Sequence, residues 1–129
     1  MSHRVILGIE SSCDETAAAI VRDGRTVLAS VVHSQIDEHA AWGGVVPEIA
    51  GRSHLEAIRP VLSEVFAAAN LTHHDIDAIA VTARPGLLGS LLVGVTAAKS
   101  LSWAWNKPLV DVHHIEAHAY AALMSLDEW

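Results

Sequence analysis

The sequence predicts an α/β domain built on a mixed sheet, with the element order β-β-β-α-β-α-β-α. Three observations carry this prediction. Residues 4–33 read as three consecutive strands joined by a polar turn and a hairpin. A long helical pattern follows from about Pro47 to Asn70. Two short apolar runs, residues 77–82 and 109–112, are each followed by a helical stretch. With 129 residues and 51% apolar content, the chain has the material for one domain with a real core.

Arg4–Glu10 is apolar enough to be a central strand, and Ser11–Glu15 is a polar turn. Thr16–Arg22 is the second strand, Asp23-Gly24 signals a hairpin, and Thr26–His33 is the third strand. Ser34–Trp42 is polar and mixed, and reads as a loop. Pro47 opens the long helix, where proline at a first turn is well tolerated. Ile58, Val61, Leu62, Val65 and Phe66 form its apolar stripe, and Pro60 inside it predicts a kink or a junction. Arg52, His54, Glu56 and Arg59 read as solvated, and Asn70 as the stop. Thr72–Asp75 is a turn with capping residues available. Asp77–Thr82 is a buried strand, followed by a glycine turn and an apolar helix from about Leu87 to Trp105. The small residues Gly89, Gly94, Ala97 and Ala98 predict close packing of that helix. Its face is a candidate dimer surface, with Leu91 as the residue to probe. Leu109–Val112 is the last strand, and the helix that follows opens on His113 and His114.

Composition excludes several classes. A formal charge of −7, from 15 acidic and 8 basic residues, is a poor surface for gripping a polyanion unaided. The most apolar run, Leu87–Val95, is broken by glycines and Ser90 and is followed by Lys99, so it does not predict a membrane span. The first residues run straight into a strand without signal-peptide architecture, and a single cysteine precludes an internal disulfide. Both features predict a cytoplasmic location.

The chemistry centres on His114 and His118. Four residues apart on a helix, they share a face, and two imidazoles one turn apart can hold a divalent metal. Read alone, the pair is equally a chance repeat among nine histidines, and it lacks a third ligand. Glu116 lies about 200° round the helix from His114, so the geometry of a zincin-type peptidase is not met. Around Ser11–Thr16, an ordinary turn stands beside a second reading, in which Glu10 and Asp14 hold a cation or steer phosphates. Cys13 reads as a small buried residue. The glycine turn at Pro85–Ser90 either receives an anion at a helix N-terminus or packs helix against strand, and it is not a Walker loop.

Four segments, in this order, closely resemble the TsaD family of tRNA threonylcarbamoyladenosine synthesis proteins. They are Gly8-Ile9-Glu10-Ser11-Ser12-Cys13-Asp14-Glu15-Thr16, Gly43-Gly44-Val45-Val46-Pro47-Glu48-Ile49-Ala50, Pro85–Gly94, and Val112-His113-His114-Ile115-Glu116-Ala117-His118. The resemblance implies an actin-like, sugar-kinase-like (ASKHA) ATPase lobe. It implies transfer of a threonylcarbamoyl group from threonylcarbamoyl-AMP to the exocyclic amine of the adenosine beside the tRNA anticodon. It further implies a divalent metal, iron or zinc, on His114 and His118, with Asp14 and Glu15 in a positioning or electrostatic role. Arg84 departs from the family, which usually has glycine before Pro-Gly-Leu.

Family proteins continue into a second lobe carrying a further aspartate ligand and most of the ATP or threonylcarbamoyl-AMP site. The 129 residues therefore read as a single N-terminal lobe, inactive alone. The expected partners are tRNA through the full complex, a shorter paralogue, other proteins of the pathway and a second copy of the chain. The alternative function is a non-catalytic interaction lobe of the same complex. A metallopeptidase is a third reading, against the Glu116 geometry.

Overall fold

In the computed structural model, which describes residues 3–124, the strands are β1 (Val5–Glu10), β2 (Glu15–Arg22), β3 (Thr26–Ser34), β4 (Ala78–Arg84) and β5 (Leu109–His113). The helices are α1 (Ile36–Ala40), α2 (Pro47–Ala69), α3 (Leu88–Trp105) and α4 (His114–Met124), with a single 3-10 turn at His73–Asp75. The strands form one mixed sheet in the order β3-β2-β1-β4-β5. β1 pairs antiparallel with β2 and parallel with β4, and β4 pairs parallel with β5. Apart from the short helix α1, the expected element order is met, and so is the central place of β1.

The hairpin between β2 and β3 has Asp23 and Gly24 both at positive φ (53° and 71°), at the centre of a turn closed by the Arg25 N–H donating to the Arg22 carbonyl at 3.2 Å. α2 and α3 pack on one face of the sheet. The core between them is built from Leu7, Ile9, Ile20, Ile79 and Val81 of the strands, with Ile58, Val61 and Val65 of α2 and Ala98 of α3. α2 runs unbroken through Pro60. Pro60 and Glu56 are both exposed, so the carbonyl that loses its donor faces water. Asn70, left-handed at φ 55°, ends the helix as expected. Thr72 and Asp75 cap one another, the Thr72 N–H donating to the Asp75 carboxylate at 2.9 Å.

Three expectations need correction. Ser34–Trp42 is not all loop, because it contains α1. His39 turns inward there, donating from Nε2 to Gln35 Oε1 (2.7 Å) and accepting at Nδ1 from the Val46 N–H (3.0 Å). His54 is not solvated but fully buried, facing the sheet from α2. Leu91 is buried too, so it does not lie on an outer face of α3, whereas Leu88 and Leu92 do.

The opposite face of the sheet is floored by small residues. Ser30, Ala19, Gly8, Ala80 and Val110 stand in register across all five strands. Only α4 crosses this face, among the described residues. It starts beside the end of β1 and reaches the far hairpin, where the Tyr120 hydroxyl donates to the Gly24 carbonyl at 2.8 Å. No described helix is long and apolar enough to cross a membrane.

Candidate metal and acyl-transfer site

Between α4 and the small-residue floor lies an open groove of about 590 Å³. Its lining brings together all four residues singled out from the sequence, Asp14, Glu15, His114 and His118, with Glu10, Ser12, Cys13 and Thr82. Asp14 is half-buried and Glu15 exposed at the lip, where β1 turns into β2. Cys13 is exposed rather than buried, because the turn points its side chain outward while its main chain is held.

α4 begins directly after β5, and His113 makes that abrupt start possible. Its Nδ1 accepts from the Ile115 N–H (3.2 Å) and, more weakly, from the Glu116 N–H (3.5 Å), giving an acceptor to two donors that a helix start leaves without partners. The next residue, His114, therefore projects over the end of β1. Its Nδ1 lies 3.1 Å from Glu10 Oε2 and 3.1 Å from Ser12 Oγ.

Glu10 closes β1 on the groove face and is held by several donors. The Ser12 N–H reaches Oε1 at 2.6 Å and the Thr82 hydroxyl reaches Oε2 at 2.7 Å. Burial pushes the Glu10 carboxyl up. The hydrogen bonds from Ser12, Thr82 and His114 together outweigh that and hold it below the usual carboxylate range. An ionised carboxylate only accepts, so His114 carries its proton on Nδ1 and presents the Nε2 lone pair to the groove.

His118 Nε2 lies 3.1 Å from that Nε2, with the two rings nearly perpendicular. Two arrangements satisfy this contact: an N–H···N hydrogen bond, or two lone pairs converging on one cation. Nitrogens about 2.0–2.1 Å from a shared ion stand about 2.9–3.4 Å apart at angles of about 90–110°. The donor set thus fits a divalent metal, and Glu10 stands where a carboxylate fixes the tautomer of a ligating histidine. Among the described residues, no group of three or more His, Cys, Asp and Glu side chains forms a fuller shell. Glu116 is exposed and does not line the groove.

The glycine turn is spent on packing. The Leu87 N–H donates to the Ser12 carbonyl at 2.9 Å, and a Cβ on Gly86 would stand 2.6 Å from that oxygen. Arg84, at the end of β4, reaches Asp111 on β5 at 2.8 Å.

Glu10 and Ser12 were not singled out as partners of His114, nor Thr82 as the partner of Glu10. A carboxylate closing an otherwise apolar central strand was the available signal. The partner lies 104 residues away, and nothing local points to it.

The family model for TsaD, tRNA N6-adenosine threonylcarbamoyltransferase, matches residues 26–128. The chain is 61% identical over 116 residues to the tRNA N6-adenosine threonylcarbamoyltransferase of Bacillus subtilis (strain 168), covering 90% of this chain and 34% of that protein. It is 58% identical over 120 residues to the same-named protein of Anaeromyxobacter sp. (strain Fw109-5), covering 93% of this chain and 36% of that one. The chain thus spans about a third of the length of these curated relatives. Among solved structures it is similar in fold to YeaZ from Pseudomonas aeruginosa, with TM-score 0.63 and 20% identity over 85% of this chain and 44% of that one. It is also similar in fold to T. thermophilus RuvC in complex with Holliday junction substrate, with TM-score 0.57 and 15% identity over 94% of this chain and 75% of that one. The YeaZ likeness and the mixed five-stranded sheet agree with the actin-like lobe. With four motifs in order, the family model over most of the chain and relatives near 60% identity, the chain belongs to the TsaD family, the tRNA N6-adenosine threonylcarbamoyltransferases.

Proposed function

We propose that this chain is the metal-bearing lobe of a tRNA threonylcarbamoyl transferase. The reaction moves the threonylcarbamoyl group from threonylcarbamoyl-AMP to the exocyclic amine of the adenosine beside the anticodon. The amine nitrogen forms a bond to the carbamoyl carbon, the bond from that carbon to the AMP oxygen breaks, and the amine loses a proton. The observation that carries the reading is the Nε2 pair of His114 and His118, 3.1 Å apart over an open groove, with Glu10 fixing the His114 tautomer.

His114 and His118 hold the metal, iron or zinc. When bound, the ion orients the acyl donor and polarises its carbonyl. The residues do the rest by position. Glu10 and Ser12 orient the His114 ring, and Tyr120 ties the far side of α4 to the hairpin at Gly24. Asp14 and Glu15 set negative charge at the lip, which favours the positive charge that develops on an attacking amine. The small-residue floor leaves room for a flat or extended group. The nucleotide site and a third ligand belong to the remaining two thirds that the relatives carry. An acidic lobe suits this division, because other surfaces must supply the cations that grip tRNA.

The test is tRNA modification by a full-length family protein carrying this lobe. Replacing His114 and His118 with alanine abolishes transfer while tRNA binding persists. Undiminished modification by the double variant overturns the proposal. An interaction lobe is the second reading, supported by Leu88 and Leu92 exposed together on α3. It predicts that the double variant still modifies tRNA and that Leu92→Glu does not.

A further inference from the structure

The turn that carries Cys13, Asp14 and Glu15 is gripped from three sides, and one of those grips is a histidine side chain with no role so far. The Ser12 carbonyl accepts from the Leu87 N–H at 2.9 Å, at the head of α3. The Asp14 carbonyl accepts from the Gln35 N–H at 2.9 Å, where β3 meets α1. Between them, the Cys13 carbonyl accepts from His54 Nε2 at 2.8 Å, across from α2. A carbonyl only accepts, so the proton is on Nε2, and Nδ1 accepts from the Thr16 hydroxyl at 2.6 Å. His54 is completely buried, and both ring nitrogens are used on the two sides of the lip.

We propose that His54 is a positioning residue of the groove, fixing the main chain at Cys13 and thereby the places of the Asp14 and Glu15 carboxylates. Two of the three carbonyl grips come from backbone donors and survive substitution of their side chains. His54 supplies the one that side-chain identity controls. A residue serving only as core filler at this point of the α2 stripe needs no nitrogen at either position. The effect on transfer rests on the function proposed above, whereas the effect on the lip does not.

Two variants separate the two nitrogens. The amide of asparagine reaches the place of Nδ1, and that of glutamine reaches the place of Nε2. His54→Gln therefore keeps a donor for the Cys13 carbonyl, and His54→Asn keeps only the Thr16 contact. Cys13 is the only cysteine in the chain and is exposed, so its alkylation rate by a small maleimide reports on the lip directly. With one hydrogen bond lost, His54→Asn is expected to raise the alkylation rate about 10-fold, and His54→Gln to stay within about 3-fold of the parent. In a full-length protein carrying this lobe, His54→Asn should lower kcat by a similar factor with KM for tRNA unchanged. Nitrogen-15 NMR of the unmodified protein should find the His54 proton on Nε2.

Equal losses for the two variants, tracking their loss of stability, overturn the proposal. A proton found on Nδ1 overturns it as well. Should the unaltered full-length protein modify no tRNA, the proposed function fails, and the alkylation contrast still decides the role of His54.

Discussion

Ser11 is buried where β1 meets α3, and its hydroxyl sits between two groups that a regular helical turn pairs with each other. It donates to the Ser90 carbonyl at 2.7 Å and accepts from the Gly94 N–H at 3.0 Å. Gly94 leaves room for it, because a Cβ there would stand 2.5 Å from Ser11 Oγ and 3.3 Å from its Cβ. Gly94→Ala must therefore displace Ser11 or shift α3 away from β1. Loss of the two hydrogen bonds costs about 1–3 kcal/mol together. Overpacking costs about 1–3 kcal/mol. The better helix propensity of alanine returns about 1 kcal/mol. The expected net loss is about 1–5 kcal/mol.

Urea unfolding reads this as a fall in midpoint at unchanged slope. Gly89→Ala is the control, since the same methyl on the same helix meets nothing within 4 Å there. It should stabilise by about 0.4–1 kcal/mol. Ser11→Ala combined with Gly94→Ala should cost less than the two separately, by about 1 kcal/mol or more. A neutral or stabilising Gly94→Ala refutes the insertion of Ser11 into α3.

Three further outcomes follow from the same contacts. Glu10→Gln frees the His114 tautomer and should weaken metal binding about 10–100-fold, measured by competition with a chromogenic chelator. Ser90 Oγ is buried without a hydrogen-bond partner among the described residues, so Ser90→Ala should leave stability unchanged or raise it by about 1 kcal/mol in the same urea assay. Burial lowers the proton affinity of His54. Nearby His39 lowers it further, while the Cys13 carbonyl, Glu10 and Asp14 oppose the shift without cancelling it. The unfolded chain then takes up that proton first, so this stability is complete above the unfolded value near 6.5 and is lost as pH falls below it. Between neutral pH and about 5, His54→Gln should flatten the fall in stability relative to the parent, and parallel curves for the two proteins contradict the burial argument.

The fold was largely legible because its strands and helices announce themselves locally. The apolar run before Glu10, the Asp23-Gly24 turn and the stripe Ile58-Val61-Val65 each carry their own signal. The histidine pair was legible for the same reason, being one turn of one helix. What escaped depends on partners far along the chain. His54 occupies the same stripe as Ile58, Val61 and Val65, four residues before Ile58, and its position alone marked it as inward-facing. Its polar side chain argued for solvent, and only Thr16 and Cys13 explain why it is inside. Glu10 and Ser12 wait on His114, more than 100 residues on. α1 was hidden because its buried residue is His39, which pairs with Gln35 just before the helix instead of with apolar neighbours.

The convergence of His114 and His118 is tested most directly by titrating the protein with zinc while following every histidine ring by nitrogen-15 NMR. The first equivalent is expected to move Nε2 of both residues together and to leave the Nδ1 proton of His114 in place. Two other adjacent rings, His73 and His74, whose centroids are 4.0 Å apart, provide the internal competitor. Zinc that goes first to those rings, or leaves both Nε2 signals of the α4 pair unmoved, contradicts a metal site in the groove.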